Sequence, residues 1–232
     1  MTNTTKSQRC GRRNLLPAGL GVMMTLALGS ASAGARELST TGPVPGGGVA
    51  GIYVPVPVEN QKDLKALILT DFDFNDMETF YPLYRFTEEG IAVTVATPAG
   101  GNVQGYGGHI ILDTVPVADV DVTEFDILYL PGGKAPATLR DNPAVIEAVQ
   151  KFAATGKPIA AICHGPQILV TAGLVDGKNI ACFSDVGQEV EAAGGTYRDE
   201  PVTVDGQFIT SRLPQDLPRQ MEAILQKLHG GS

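Results

Sequence analysis

The chain has no tryptophan, only three histidines and three cysteines, and fewer bases than acids; each shortage closes off a class of function. Seventeen Lys and Arg face 25 Asp and Glu, a net charge of −8. That balance excludes nucleic acid and anionic membrane as partners. The cysteines, at 10, 163 and 182, are too few and too scattered for a disulfide framework. His109 and His229 have no partner at metal-ligand spacing and are read as surface histidines. Neither a metal nor an organic cofactor is expected. No apolar run reaches the roughly 20 residues of a membrane span.

What is present is 43% hydrophobic residues and 28 glycines in 232 residues, enough for one domain with many tight connections. Residues 1–33 read as a twin-arginine signal peptide. Arg12-Arg13 is followed by a mild apolar stretch, Leu15 to Leu28, and by the small-residue site Ala31-Ser32-Ala33. The expected destination is periplasmic or secreted in a bacterium, with no stable membrane insertion after cleavage. Cleavage removes Lys6, Arg9, Arg12 and Arg13 and no acid, so 13 of the 17 bases remain against 25 acids, a net −12. Residues 34–63, rich in Gly, Pro and Thr, read as an N-terminal arm or linker.

From 64 to 232 short apolar runs alternate with amphipathic stretches. Strands are predicted over 64–70, 91–97, 126–130, 157–162 and 178–183, with a hairpin region around 110–115 and short paired strands about Asp205-Gly206. Helices are predicted over 76–89, 143–155, from about 166 to 172, near 186–193, and at the end. The first would bury Met77, Phe80, Tyr81 and Tyr84, and the last Met221, Ile224, Leu225 and Leu228. Asn142-Pro143 opens a helix and Gly156 closes it. The alternation implies an α/β domain with a mostly parallel central sheet covered on both sides.

Ligands of such sheets bind beyond the carboxyl ends of the strands. Two features fall there. Ala161-Ile162-Cys163-His164-Gly165 resembles a nucleophile elbow with Cys in place of Ser, its small flanking residues suiting a strained turn. Pro166 then suits a first helical turn whose dipole would favour a Cys163 thiolate. A buried structural Cys163, or a Cys163–Cys182 disulfide in an oxidising compartment, are the competing readings. The second feature is Gly132-Gly133, either a plain turn or, with the backbone N–H of His164, an oxyanion hole. Arg212 is read as a structural ion-pair former.

Four motifs in order carry a resemblance: Asp76-Met77-Glu78-Thr79; Leu130-Pro131-Gly132-Gly133; Ala161 to Pro166; and Thr210-Ser211-Arg212 with Asp216-Leu217-Pro218. Together, over about 64 to 228, they resemble the ThiJ/PfpI family of the glutamine amidotransferase-like superfamily. The resemblance implies a flavodoxin-like three-layer sandwich and a homo-oligomer, dimer or higher. It also implies a reactive Cys163 with Glu78 beside it and His164 following. A shared proton on that pair predicts a thiol pKa below about 8.5 and a Glu78 pKa above about 4.3. In peptidase-like members a Glu orients the His, but Ala137 stands at that position here. Asn75 and Phe183 occupy positions where many members have an acid and a Tyr.

The implied function is a cysteine-dependent enzyme acting on a small-molecule carbonyl substrate or glycated adducts, of glyoxalase or deglycase type, in stress protection. The alternatives are a PfpI-type cysteine peptidase and a non-catalytic redox-responsive stress protein in which Cys163 is oxidised.

Overall fold

The structure is a computed structural model. It describes Ile52–Tyr53 and residues 62–230; the signal-peptide reading of 1–33 and most of the 34–63 arm lie outside the described residues. Eleven strands and six α-helices follow in chain order. They are β1 (Ile52–Tyr53), β2 (Lys65–Leu69), α1 (Asp76–Glu88), β3 (Ala92–Thr97), β4 (Gly101–Gln104), β5 (Ile110–Pro116), β6 (Ile127–Leu130), α2 (Ala135–Leu139) and α3 (Pro143–Ala153). Then come β7 (Ile159–Ile162), α4 (Pro166–Thr171), β8 (Asn179–Ala181), α5 (Ser184–Ala192), β9 (Thr196–Arg198), β10 (Thr203–Asp205), β11 (Phe208–Ser211) and α6 (Leu217–Leu228).

The main sheet has nine strands in the order β1-β5-β3-β2-β6-β7-β11-β10, with β4 pairing antiparallel to β5. Every other neighbour is parallel except the β10–β11 hairpin. Every residue of β6 and β7 is buried, as expected for strands covered on both faces. From β2 the chain crosses through α1 to β3 in one direction; from β6 it crosses through α3 to β7 in the other. Right-handed crossovers in opposite directions put α1 and α3 on opposite faces. The reversal between β2 and β6 creates the crevice that open α/β sheets use for ligands.

The caps follow the chemistry of their residues. Asn142 accepts from the Ala144 N–H at 3.0 Å with Pro143 at the first helical position. Asn75 caps α1 through the N–H groups of Met77 and Glu78.

Three expectations need correction. The stripe Met77, Phe80, Tyr81, Tyr84 is not the buried face of α1: Met77 is 61% and Tyr84 54% exposed. The helix instead buries Thr79, Phe80, Leu83 and Phe86, with Glu78 on the inward side. Apolar periodicity was misled because that inward position is held by an acid. Second, β8 is not part of the main sheet. The β10 hairpin occupies the edge of β11, and β8 pairs with the unforeseen β9 in a separate two-stranded sheet. It is tied down by side chains, Thr210 Oγ1 accepting from the Ala181 N–H at 2.9 Å. Third, α2 was not anticipated. In addition, the arm contributes β1, parallel to β5 at the sheet edge.

A buried glutamine locks α6 onto the sheet. Gln220 Nε2 donates to the carbonyls of Ala161 (2.9 Å) and Ile209 (3.2 Å), while its Oε1 accepts from the Tyr129 hydroxyl at 3.1 Å. All its polar capacity is spent inside the core. Gln220→Leu should therefore destabilise the fold by about 2–3 kcal/mol in urea unfolding, because it strands the fully buried Tyr129 hydroxyl.

Candidate active site

Cys163 follows β7 in a left-handed conformation, φ 60°, one of three non-glycine residues with positive φ among those described. This is the strained elbow that the flanking small residues predict. The turn is held by backbone bonds from Cys163 N–H to Ser211 O (3.0 Å), Gly165 N–H to Ile162 O (2.8 Å) and Phe183 N–H to Cys163 O (2.9 Å). Gly165 must be small: a Cβ there would lie 2.3 Å from the Leu130 carbonyl oxygen. Cys163 keeps 7% of its surface exposed and lines a cavity of about 790 Å³, so the sulfur is reachable rather than sealed in the core. Cys163 and Cys182 are both free thiols, which removes the disulfide reading.

Glu78 comes from the first turn of α1, beyond the carboxyl end of β2, and is completely buried. Its Oε2 accepts from the Gly132 N–H at 2.9 Å. Oε1 is buried with no donor in good hydrogen-bonding geometry, and the Cys163 thiol is the polar side chain that acts on the carboxyl. Gly132 is where the parts meet. A Cβ there would lie 2.5 Å from Glu78 Oε2, 2.7 Å from Cys163 Cβ and 2.9 Å from the His164 nitrogen. Only glycine lets carboxyl, thiol and elbow converge.

Desolvation raises the Glu78 pKa to about 7, in the expected direction. The thiol departs from expectation. Burial, then the facing Glu78 charge, pushes Cys163 up to about 12, against the favourable N–H groups of Gly133 and His164. A six-residue α4 has too weak a dipole to reverse the cost of burying a thiolate. The pair at neutral pH is thus a protonated thiol beside a carboxyl poised between its two forms. Glu78 is the better placed base.

The predicted oxyanion hole also needs revision. The Gly132 N–H is consumed by Glu78, leaving those of Gly133 and His164, both of which point at the sulfur. Gly133 has φ 86°, and a Cβ would meet the Asn75 nitrogen at 2.4 Å. His164 Nδ1 lies 3.2 Å from Sγ, and its ring stacks on Phe183 at a 5.0 Å centroid separation. Burial lowers its pKa against the opposing charges of Asp185 and Glu189, favouring the neutral imidazole. Among the described residues no carboxylate hydrogen-bonds the ring; Asp185 and Glu189 act on it only through charge, and Ala137 lines the cavity.

Three cavity residues escaped the sequence reading: Tyr106, Lys134 and Gln167. Tyr106 sits in the Gly-rich loop between β4 and β5. That loop is pinned to α1 by Asp76, which accepts from the N–H groups of Gly107 (2.7 Å) and His109 (3.0 Å) and contacts His109 Nδ1 at 2.7 Å. His109, read as a plain surface residue, is part of this clasp. Arg212 is structural as expected, paired to Asp199 and Asp216. No group of residues able to hold a metal ion occurs among the described residues.

The sequence model of the DJ-1/PfpI family matches residues 64–227. The chain belongs to the DJ-1/PfpI family. It is 39% identical over 165 residues to a deglycase of Thermococcus kodakarensis, covering 71% of this chain and 99% of the relative. It is 37% identical over 157 residues to protein/nucleic acid deglycase 2 of Escherichia coli, covering 66% and 90%. Among solved structures, a two-domain Anabaena variabilis protein with DJ-1/ThiJ/PfpI-like and ferritin-like domains matches with TM-score 0.70 and 34% identity. The match covers 73% of this chain and 49% of that one, so the chain spans about half of that two-domain protein. These relatives support the flavodoxin-like fold and a DJ-1/PfpI-type function.

Two consequences are measurable. The folded state holds the Glu78 proton more tightly than the unfolded chain, so its contribution to stability is full below about pH 4.5 and is lost as pH rises through about 7. Glu78→Gln should flatten that loss, about 3 kcal/mol, in unfolding measured from pH 4 to 8. Gly132→Ala should cost about 1–3 kcal/mol in the same assay and disorder the thiol, because three neighbours must move.

Proposed function

We propose that this chain is a cysteine-dependent enzyme of small reactive carbonyls or their glycated adducts, protective in role. The observation that carries the reading is the Cys163 thiol on its strained elbow, open to a cavity, beside a buried carboxyl with a pKa of about 7. A general base is most useful when its pKa lies near the working pH. The deglycase names of the relatives support the same reading.

Cys163 attacks the aldehyde carbon as Glu78 takes the thiol proton. The carbonyl π pair moves to oxygen, where the N–H groups of Gly133 and His164 stabilise it. Glu78 returns the proton to that oxygen, giving a hemithioacetal and regenerating the carboxylate. For a 2-oxoaldehyde, Glu78 then removes the C1 proton to form an enediolate and redelivers it to C2, while the C1 hydroxyl proton passes to the C2 oxygen, leaving a 2-hydroxyacyl thioester. Water hydrolyses the thioester and frees the thiol. Atoms balance as substrate plus one water to a 2-hydroxy acid. In a hemiaminal adduct the carbon is already tetrahedral, so the S–C bond forms as the C–N bond breaks; Glu78 passes the thiol proton to the leaving nitrogen, giving the free amine and the same hemithioacetal.

The peptidase alternative lacks an orienting acid for His164, since Ala137 occupies that place. Export through the 1–33 segment and self-association belong to the same proposal.

Methylglyoxal consumption by the purified protein should fall to the buffer rate in Cys163→Ala. Glu78→Gln should lose about 10²–10⁴-fold in kcat/KM. In the parent protein kcat/KM should rise with pH through about 7 as Glu78 ionises, and Glu78→Gln should lose that limb. Equal rates for parent and Cys163→Ala would remove the proposal.

A further inference from the structure

Most cations of the described chain are spent on acids. Lys62, Lys65, Lys151, Lys157 and Lys178 each lie within 4.0 Å of a carboxylate, as do Arg85, Arg140 and Arg212. Lys134 is an exception: among the described residues its ammonium has no carboxylate partner, although acids outnumber bases in the chain. It stands on the wall of the cavity that Cys163 opens into, the one cation among the lining residues, and none of those residues is a carboxylate.

Its backbone is fixed more firmly than an exposed lysine requires. The Lys134 N–H donates to Asp73 O at 2.9 Å, and the Asn75 N–H donates to Gly132 O at 3.1 Å. Phe74 and Gly133 form an isolated bridge between those two bonds. The residue after Gly133 is therefore held in register with this turn, and its backbone position on the cavity wall is fixed. Opposite charges are provided for elsewhere. Glu189, next to the cavity through Gln167 (2.8 Å), is neutralised by Arg140. Since a carboxylate only accepts, Gln167 turns its NH₂ to Glu189 and keeps its oxygen for other donors. The lining thus presents one ammonium and no carboxylate, with the Glu78 carboxyl set behind the thiol as the nearest opposing group.

We propose that Lys134 makes the cavity a subsite for the anionic group of the substrate, selecting small carbonyl compounds that bear a carboxylate or phosphate near the reacting carbon. The inference rests on the carbonyl reading for its substrate, but not for its electrostatics: any electrophile that reaches Cys163 meets the same charge.

That separation defines the test. Iodoacetate and iodoacetamide alkylate the same sulfur, forming an S–C bond as iodide leaves, and differ chiefly in charge. Their rate ratio cancels any change in the thiol itself. Replacing Lys134 by Ala should lower the iodoacetate-to-iodoacetamide ratio about tenfold, and Lys134→Arg should restore most of it. In the parent protein the ratio should fall as salt rises from 10 mM to 1 M, scales over which screening shortens from about 30 to 3 Å. A second measurement compares kcat/KM for hydroxypyruvaldehyde phosphate, a 2-oxoaldehyde that carries a phosphate, with that for methylglyoxal; this ratio should fall by the same order in Lys134→Ala. An alkylation ratio untouched by Lys134→Ala overturns the subsite. A shifted alkylation ratio in a protein that consumes neither carbonyl leaves the anion subsite standing and removes the enzyme reading instead.

Discussion

A carboxyl group without solvent faces a thiol held in left-handed backbone, and both meet at a residue that can carry no side chain. Glu78, Gly132 and Cys163 lie beyond the carboxyl ends of three adjacent strands of the sheet, β2, β6 and β7, Glu78 in the first turn of α1. The convergence requires the crossovers to reverse between β2 and β6, the Gly132 N–H to be spent on Glu78, and the elbow to carry strain at φ 60°. Remove any one and the other groups have no reason to stay together.

Burial sets the chemistry of this pair. Taking both groups from water raises both pKa values; the Glu78 charge further suppresses ionisation of the thiol, whereas the thiol's hydrogen bond favours the Glu78 carboxylate. The N–H groups of Gly133 and His164 oppose this for sulfur but do not overcome it. The site consequently holds a latent nucleophile. In the proposed reaction its proton passes to a base whose pKa is near neutrality at the moment of attack, rather than to solvent in advance. A thiol that stays protonated is also a poor target for adventitious oxidants, since the thiolate is the reactive form.

Around the pair, the rim is built mostly of backbone. The loop leading into α1, the end of β6 and the turn between β4 and β5 are stitched by bonds such as Asp73 N–H to Gln104 O (2.8 Å) and Tyr106 N–H to Phe74 O (3.0 Å). Asp76 completes the stitching through His109 and the neighbouring amides. The cavity residues Tyr106 and Lys134 are carried on this frame, and Gln167 on α4. Their identity can vary without disturbing the thiol, which is how one fold serves different substrates.

The sequence by itself determined the alternation of strands and helices, the elbow at Cys163 and the motifs that single out Glu78. These are local: small residues around a strained turn, an Asn-Pro helix start and buried apolar runs all act over a few neighbours. It also misjudged the face of α1, because the acid that periodicity assigns to water is the one the site buries. Tertiary structure alone decided the rest. That Gly132 serves Glu78 rather than an oxyanion, that the thiol is raised rather than lowered, that β8 leaves the main sheet, and that Lys134 lines the same cavity as Cys163 all depend on distances between segments far apart in the chain. Burial and charge act through space, and no spacing of letters records which groups will share it.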